Sequence, residues 1–121
     1  MTKIFIPGNV PSSKNSKQWT GKFLVHSKTT QAYVKKTKRH YKEKKADFYK
    51  LIEGKLPPYT ISFKFVRGTK HRFDYHNAIQ IVADLMQECE WLEDDNADYL
   101  KPCFEDYEYD KENPGVFIEV L

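Results

Sequence analysis

The sequence predicts an α+β domain with one small mixed or antiparallel sheet and two main helices, in the order β-β-α-β-α-β-β. Two observations predict it. Short runs with two-residue alternation lie near both ends and in the middle of the chain, and two longer segments between them carry apolar residues at steps of three and four. The 121 residues suit one domain spanning 1–121, and a composition 40% hydrophobic supports a modest core.

Lys3-Ile4-Phe5-Ile6 alternates and reads as a short strand. Pro7 to Ser16 holds two prolines, a glycine and five Ser/Asn residues, the composition of a loop. Its hydroxyls and amides, with Lys14 and Asn15, suit either phosphate contacts or an ordinary turn-rich connector. Lys22 to His26 reads as a second strand. Ser27 is then a fitting N-cap for a helix reaching about Ile52. Tyr33, Thr37, Tyr41, Phe48 and Ile52 share one face of that helix. Lys35, Lys36, Lys38, Arg39, Lys42, Lys44, Lys45 and Lys50 occupy the others. Gly54 suits the position after the helix, and Pro57-Pro58 forbid its continuation.

Tyr59 to Val66 is the cleanest strand, with Tyr59, Ile61, Phe63 and Phe65 on a buried face and Thr60, Ser62 and Lys64 on a polar, available one. A basic loop, Arg67 to Arg72, leads to Asp74. A helix follows from about His76 to Glu90. Its apolar stripe is Ala78, Ile81, Val82, Leu85, Met86 and Cys89; its polar stripe is Asn77, Gln80, Asp84 and Glu88. Tyr99 to Phe104, interrupted by Pro102, reads as an edge strand. Asp106 to Pro114 is an acidic turn, and Gly115 to Leu121 a closing strand.

The net charge of +3 conceals a division. Residues 1–72 hold 18 of the 20 Lys/Arg and 3 of the 17 Asp/Glu, a formal +15; residues 73–121 hold the other 2 and 14, a formal −12. Either the basic half has a polyanionic partner, or the halves neutralise each other across the fold. No run resembles a signal peptide or is apolar enough to span a bilayer, so a soluble, cytoplasmic protein with no membrane partner is expected. Cys89 and Cys103 lack metal-knuckle spacing and are expected to be buried thiols.

The stretch Phe73 to Asp98 carries the chemistry. Asp74, His76 and Asn77 stand before its helix, and Glu93, Asp94 and Asp95 after it. If the fold brings the two clusters together, they hold a divalent cation. Mg²⁺ prefers oxygen ligands, and such an ion beside a basic loop suits phosphodiester hydrolysis. Asp74 and Asp95 are the expected direct ligands, with Asp94 in reserve and Asp84 as a supporting carboxylate. His76 suits metal ligation or general-base work, and Asn77 a metal-bound water or a turn. The plainer roles stay open at this point: Asp74 as a helix cap, Asp94-Asp95-Asn96 as a polar turn, His76 as a surface histidine.

Asp74-x-His76-Asn77, then Ala83-Asp84-Leu85, then Trp91-Leu92-Glu93-Asp94-Asp95 resembles the core of the RusA-type Holliday-junction resolvases, and Pro11-Ser12-Ser13-Lys14-Asn15 is similar to an early loop of that family. The resemblance covers nearly the whole chain. It implies a homodimeric, Mg²⁺-dependent endodeoxyribonuclease of DNA recombination and repair, of the kind often borne by phages and prophages, which nicks four-way junctions. It maps metal ligands onto Asp74, His76 and Asp95, with Asp84 in support. DNA contacts are expected from Lys14, Asn15, Lys35, Lys36, Lys38, Arg39, Arg67, Lys70, Arg72, Asn77 and Gln80. Two departures stand out. His76 replaces the family's second aspartate, which shifts preference toward Mn²⁺ or a softer metal. Gln80 replaces its lysine, so Lys70, Arg72 or Lys14 would supply the cation. The alternative is a catalytically weak or inactive junction-binding protein of the same fold.

Overall fold

The computed structural model describes residues 3–12, 17–19, 24–26 and 28–121, with side chains described outside 17–19 and 24–26. The elements are β1 (Lys3–Pro7), β2 (Lys17–Trp19), β3 (Leu24–His26), α1 (Lys28–Leu51), β4 (Tyr59–Arg67), α2 (Tyr75–Glu88), β5 (Leu100–Phe104), β6 (Glu108–Tyr109) and β7 (Gly115–Val120). The expected α+β order holds, with two short strands added: β2, which pairs with β3, and β6, inside the acidic turn. The Ser27 cap and the start of the expected second strand lie outside the described residues.

The main sheet runs β1-β7-β4-β5, with β6 also on β4. β7 is antiparallel to β1 and β4, whereas β5 and β6 run parallel to β4. The sheet is therefore mixed, and its parallel pair requires a crossover, which α2 supplies. Pro102 sits in β5 at the sheet edge, where its missing N–H costs no ladder bond to a further strand.

The core lies between the helices and one sheet face. Tyr33, Tyr41 and Phe48 of α1 are buried there with Ile61, Phe63 and Phe65 of β4 and Ile81, Val82, Leu85 and Met86 of α2. Trp91 stacks on Phe48 at 5.0 Å, and its indole N–H donates to the Tyr41 carbonyl at 2.7 Å, so its burial leaves no orphan donor. Burial pushes the Tyr33 phenol up to about 12, and the hydroxyls of Tyr33 and Tyr41 bond to each other at 3.0 Å.

The polar face of β4 is less available than its alternation predicts. Ser62 is only 7% exposed. It lies on a central strand between Glu119 of β7 and Cys103 of β5, and neighbouring side chains cover it from both sides. Cys89 is buried as expected, with its thiol pushed up mainly by burial; Cys103 is half-buried, because β5 is an edge.

α2 ends in a left-handed turn. Glu90 has φ 65°, its N–H donates to Gln87, and the Trp91 N–H reaches back to Met86. This is a Schellman closure made without glycine. It sends Trp91 into the core and leaves Glu90 at the surface.

Candidate functional site

Asp74 caps α2. One of its carboxylate oxygens accepts from the His76 N–H at 3.0 Å, satisfying one of the donors that a helix start leaves open. Its other oxygen has no hydrogen bond among the described residues. Asp74 is half-buried, and His76 and Gln80 are exposed. The basic loop stands directly before them, with Lys70, His71 and Arg72 exposed. Lys70 lies over the Tyr109 ring at 5.0 Å, and neither Lys70 nor Arg72 forms an ion pair among the described residues.

The loop after β1 is pinned to this place. Asn77 donates to the Ser12 carbonyl at 3.2 Å, the Ser12 hydroxyl reaches the Arg72 carbonyl at 3.4 Å, and the Gly68 N–H donates to the Asn9 side chain at 2.8 Å. The Pro11-Ser12 segment thus lies beside the start of α2. Lys14 and Asn15 lie outside the described residues. Asn77 is half-buried, and its amide N–H positions the loop.

The acidic run after α2 is a chain of side-chain-closed turns. Asp94 accepts from the Asp95 N–H at 2.7 Å with one oxygen and from the Asn96 side chain at 3.1 Å with the other. Asn96 in turn accepts from the Asp98 N–H at 2.9 Å. Asp94 is thus occupied in the turn. Asp95, half-buried, is the carboxylate of the pair left without a side-chain hydrogen bond among the described residues.

The two clusters do not meet within one chain. Asp74 stands where β4 ends, and Asp95 lies just before β5, whose first residue Leu100 pairs with Tyr59 at the opposite end of β4. Between them lies the 14-residue α2, a rod of about 20 Å. Among the described residues, no three His, Cys, Asp or Glu side chains converge as a metal-holding group. Within one chain, α2 thus sets Asp74 and His76 at its start and Asp95 beyond its end. Asp84, ten residues past the cap, lies about 15 Å along the axis. It lines a cavity of about 220 Å³ between α1 and α2, with Lys35 and Glu88, rather than facing Asp74.

No protein-family model matches the sequence, and no curated protein is significantly similar to it.

One expected DNA contact is withdrawn into the fold. Arg67 is only 4% exposed; it donates to the Val10 carbonyl and lies 4.7 Å from the Phe73 ring centre. Burial lowers its basicity, and its Nε–H has no partner among the described residues. It is an internal brace. Lys38 pairs with Glu88 at 3.5 Å. Lys45–Glu90 at 3.1 Å and Lys64–Glu108 at 2.9 Å likewise join the basic and acidic halves. Neutralisation across the fold is thus partial. Lys35, Arg39 and Lys42, at steps of four and three on α1, stay exposed without an ion pair among the described residues, as do Lys36 and Lys50.

Sequence reasoning missed the aromatic group around Tyr75. Phe65, Phe73, Phe104 and Tyr107 all lie within 6.4 Å of its ring or of one another's, and the Tyr107 N–H donates to the Tyr75 hydroxyl at 3.0 Å. The signal was the Phe73-x-Tyr75 pair flanking Asp74, which reads as ordinary core until β5 and β6 bring Phe104 and Tyr107 beside it.

Proposed function

We propose that the chain is a structure-selective, divalent-metal-dependent DNA endonuclease that acts as a homodimer on four-way junctions. One observation carries the reading: Asp74 and His76 stand at the start of α2, directly after Lys70 and Arg72 in the chain, two exposed cations that no acidic side chain neutralises among the described residues. Carboxylate next to unpaired positive charge suits a metal held against a phosphodiester.

The donor chemistry fits Mg²⁺ or Mn²⁺ only if two protomers share the site. Asp74 and His76 supply one end of α2, and Asp95 the other. A two-fold axis across α2 brings opposite ends of two copies together, so each site would draw Asp95 from the second protomer. When bound, the metal supplies charge neutralisation at phosphorus and an ionised water. The chain's own part is to hold the DNA. Lys70 and Arg72 contact the phosphate near the cut, standing in for the lysine that Gln80 lacks. Lys35, Lys36, Arg39 and Lys42 carry a neighbouring arm of the backbone, giving recognition by shape.

The test is nicking of a synthetic four-way junction in Mg²⁺ and in Mn²⁺, with Asp95→Asn alongside. Metal-dependent paired nicks by the wild type, lost in the variant, are expected. Tight junction binding with no nicking in either metal would overturn the enzyme reading. It would favour instead a junction-binding protein without catalysis, to which Gln80 and the divided donor set already lend weight.

A further inference from the structure

We propose that the cleft at the C-terminal end of α2 binds an organic cation, an alkylammonium or guanidinium group. This goes beyond the nuclease reading, because the described lining of the cleft carries carboxylates and no cation to hold a phosphate. It has a volume of about 630 Å³, and Tyr49, Tyr59, Trp91 and Tyr99 line it together with Glu90 and Glu93; none of its described lining residues is basic.

The walls are held in place. Trp91 is fixed by its stack on Phe48 and its bond to the Tyr41 carbonyl. The Tyr99 hydroxyl donates to Glu93 at 2.8 Å, which orients that carboxylate along the rim. The Tyr49 hydroxyl donates to the Glu90 carbonyl, fastening α1 to the left-handed turn. Aromatic faces present negative charge to a cation, and a carboxylate beside them adds a direct ionic contact. The neighbouring charge has the same sign: the Tyr99 phenol is pushed up by its bond to Glu93, by that carboxylate's charge and, to a lesser degree, by burial and by Asp98 and Asp94.

The chain already shows this mode of binding at the edge of the cleft. Lys45 lies 5.7 Å from the Tyr49 ring centre while pairing with Glu90 at 3.1 Å, an ammonium taken by an aromatic face and a carboxylate together. Glu93, with Tyr59 and Tyr99, offers the equivalent elements at the rim of the cleft with no lysine among its described lining residues. The cation would come from a free polyamine or from a basic side chain of a protein.

The experiment is amide and indole NMR titration of the full chain with butylguanidinium and with its neutral isostere butylurea, followed by spermidine and an acetylated, amidated Arg-Leu dipeptide. Shifts at Trp91, Tyr59 and Tyr99 with butylguanidinium, at least threefold weaker with butylurea and at least threefold weaker in Glu93→Gln, are expected. Equal affinity for the charged and neutral probes, or shifts scattered over the acidic surface, would overturn the proposal. Stronger binding of spermidine than of the dipeptide identifies a free polyamine as the source; the reverse identifies a protein side chain. Glu93 is exposed, so its replacement leaves the fold intact, and Tyr99→Phe, which releases the carboxylate without removing it, gives a second and smaller loss.

Discussion

The Asn77 side chain donates to the Ser12 carbonyl across 3.2 Å, tying the first turn of α2 to the loop that leaves β1, 65 residues earlier in the chain. This bond, with Asp74 as the cap beside it, fixes where the basic loop and the early loop meet. Asn77→Ala should cost about 1 kcal/mol, the size of one side-chain hydrogen bond whose acceptor stays half-covered. Urea denaturation measures this. Hydrogen exchange should also show faster exchange in residues 8–12 than in the core strands.

Arg67 and its loop neighbours should separate cleanly. Arg67→Met leaves the Val10 carbonyl without its buried donor and removes the contact over Phe73, and should destabilise by roughly 1–3 kcal/mol. Lys70→Ala and Arg72→Ala should change stability by less than about 0.5 kcal/mol. If both contact phosphates, each should lower the slope of log affinity for junction DNA against log salt by roughly 1. Denaturation and salt-dependent binding, run on the same three variants, read the two effects.

A site shared between protomers makes a distinctive prediction. Asp74→Asn and Asp95→Asn should each abolish nicking alone. After the two proteins are mixed and allowed to exchange subunits, a mixed dimer holds one site with both changes and one with neither. Nicking should return to roughly a quarter of the wild-type level, since about half the dimers are mixed and each has one live site. A site built within one chain predicts no recovery.

The buried tyrosine pair sets an alkaline limit. Tyr33 titrates near 10 when unfolded and about 12 when folded, because burial disfavours the phenolate. Its neutral form therefore contributes stability that is fully present below pH 10 and is lost as the pH rises toward 12, about 3 kcal/mol across that window. Tyr33→Phe should flatten this part of the pH–stability curve, measured by thermal melts from pH 8 to 12. Tyr41, fully buried beside it and shifted the same way, keeps some of the slope.

Local pattern made much of the fold legible. The α1 stripe of Tyr33, Thr37, Tyr41 and Phe48, and the α2 stripe from Ala78 to Met86, are buried as their spacing predicts, because a helix must place steps of three and four on one face. The cap role of Asp74, left open beside its expected role as a ligand, was legible because the residue stands next to the helix whose amides it satisfies. Residues whose meaning depends on distant neighbours were not legible. Arg67 belongs by sequence to a basic loop, but its position at the end of central β4 turns it into the core toward Val10 and Phe73. Lys38 is neutralised by Glu88, fifty residues away.

The sequence by itself determined the two helices, the central strand, the division of charge and the carboxylates at either end of α2. Only the tertiary structure decided that those carboxylates stand apart. β5 runs parallel to β4, so the chain must travel the full length of α2 to return to the start of β4, and Asp95 is left at the end of the domain away from Asp74. Periodicity records which face of a helix is buried; it carries no information on which of its ends meets which part of another strand, or of another molecule, because that is settled by strand direction and by packing between segments far apart in the chain.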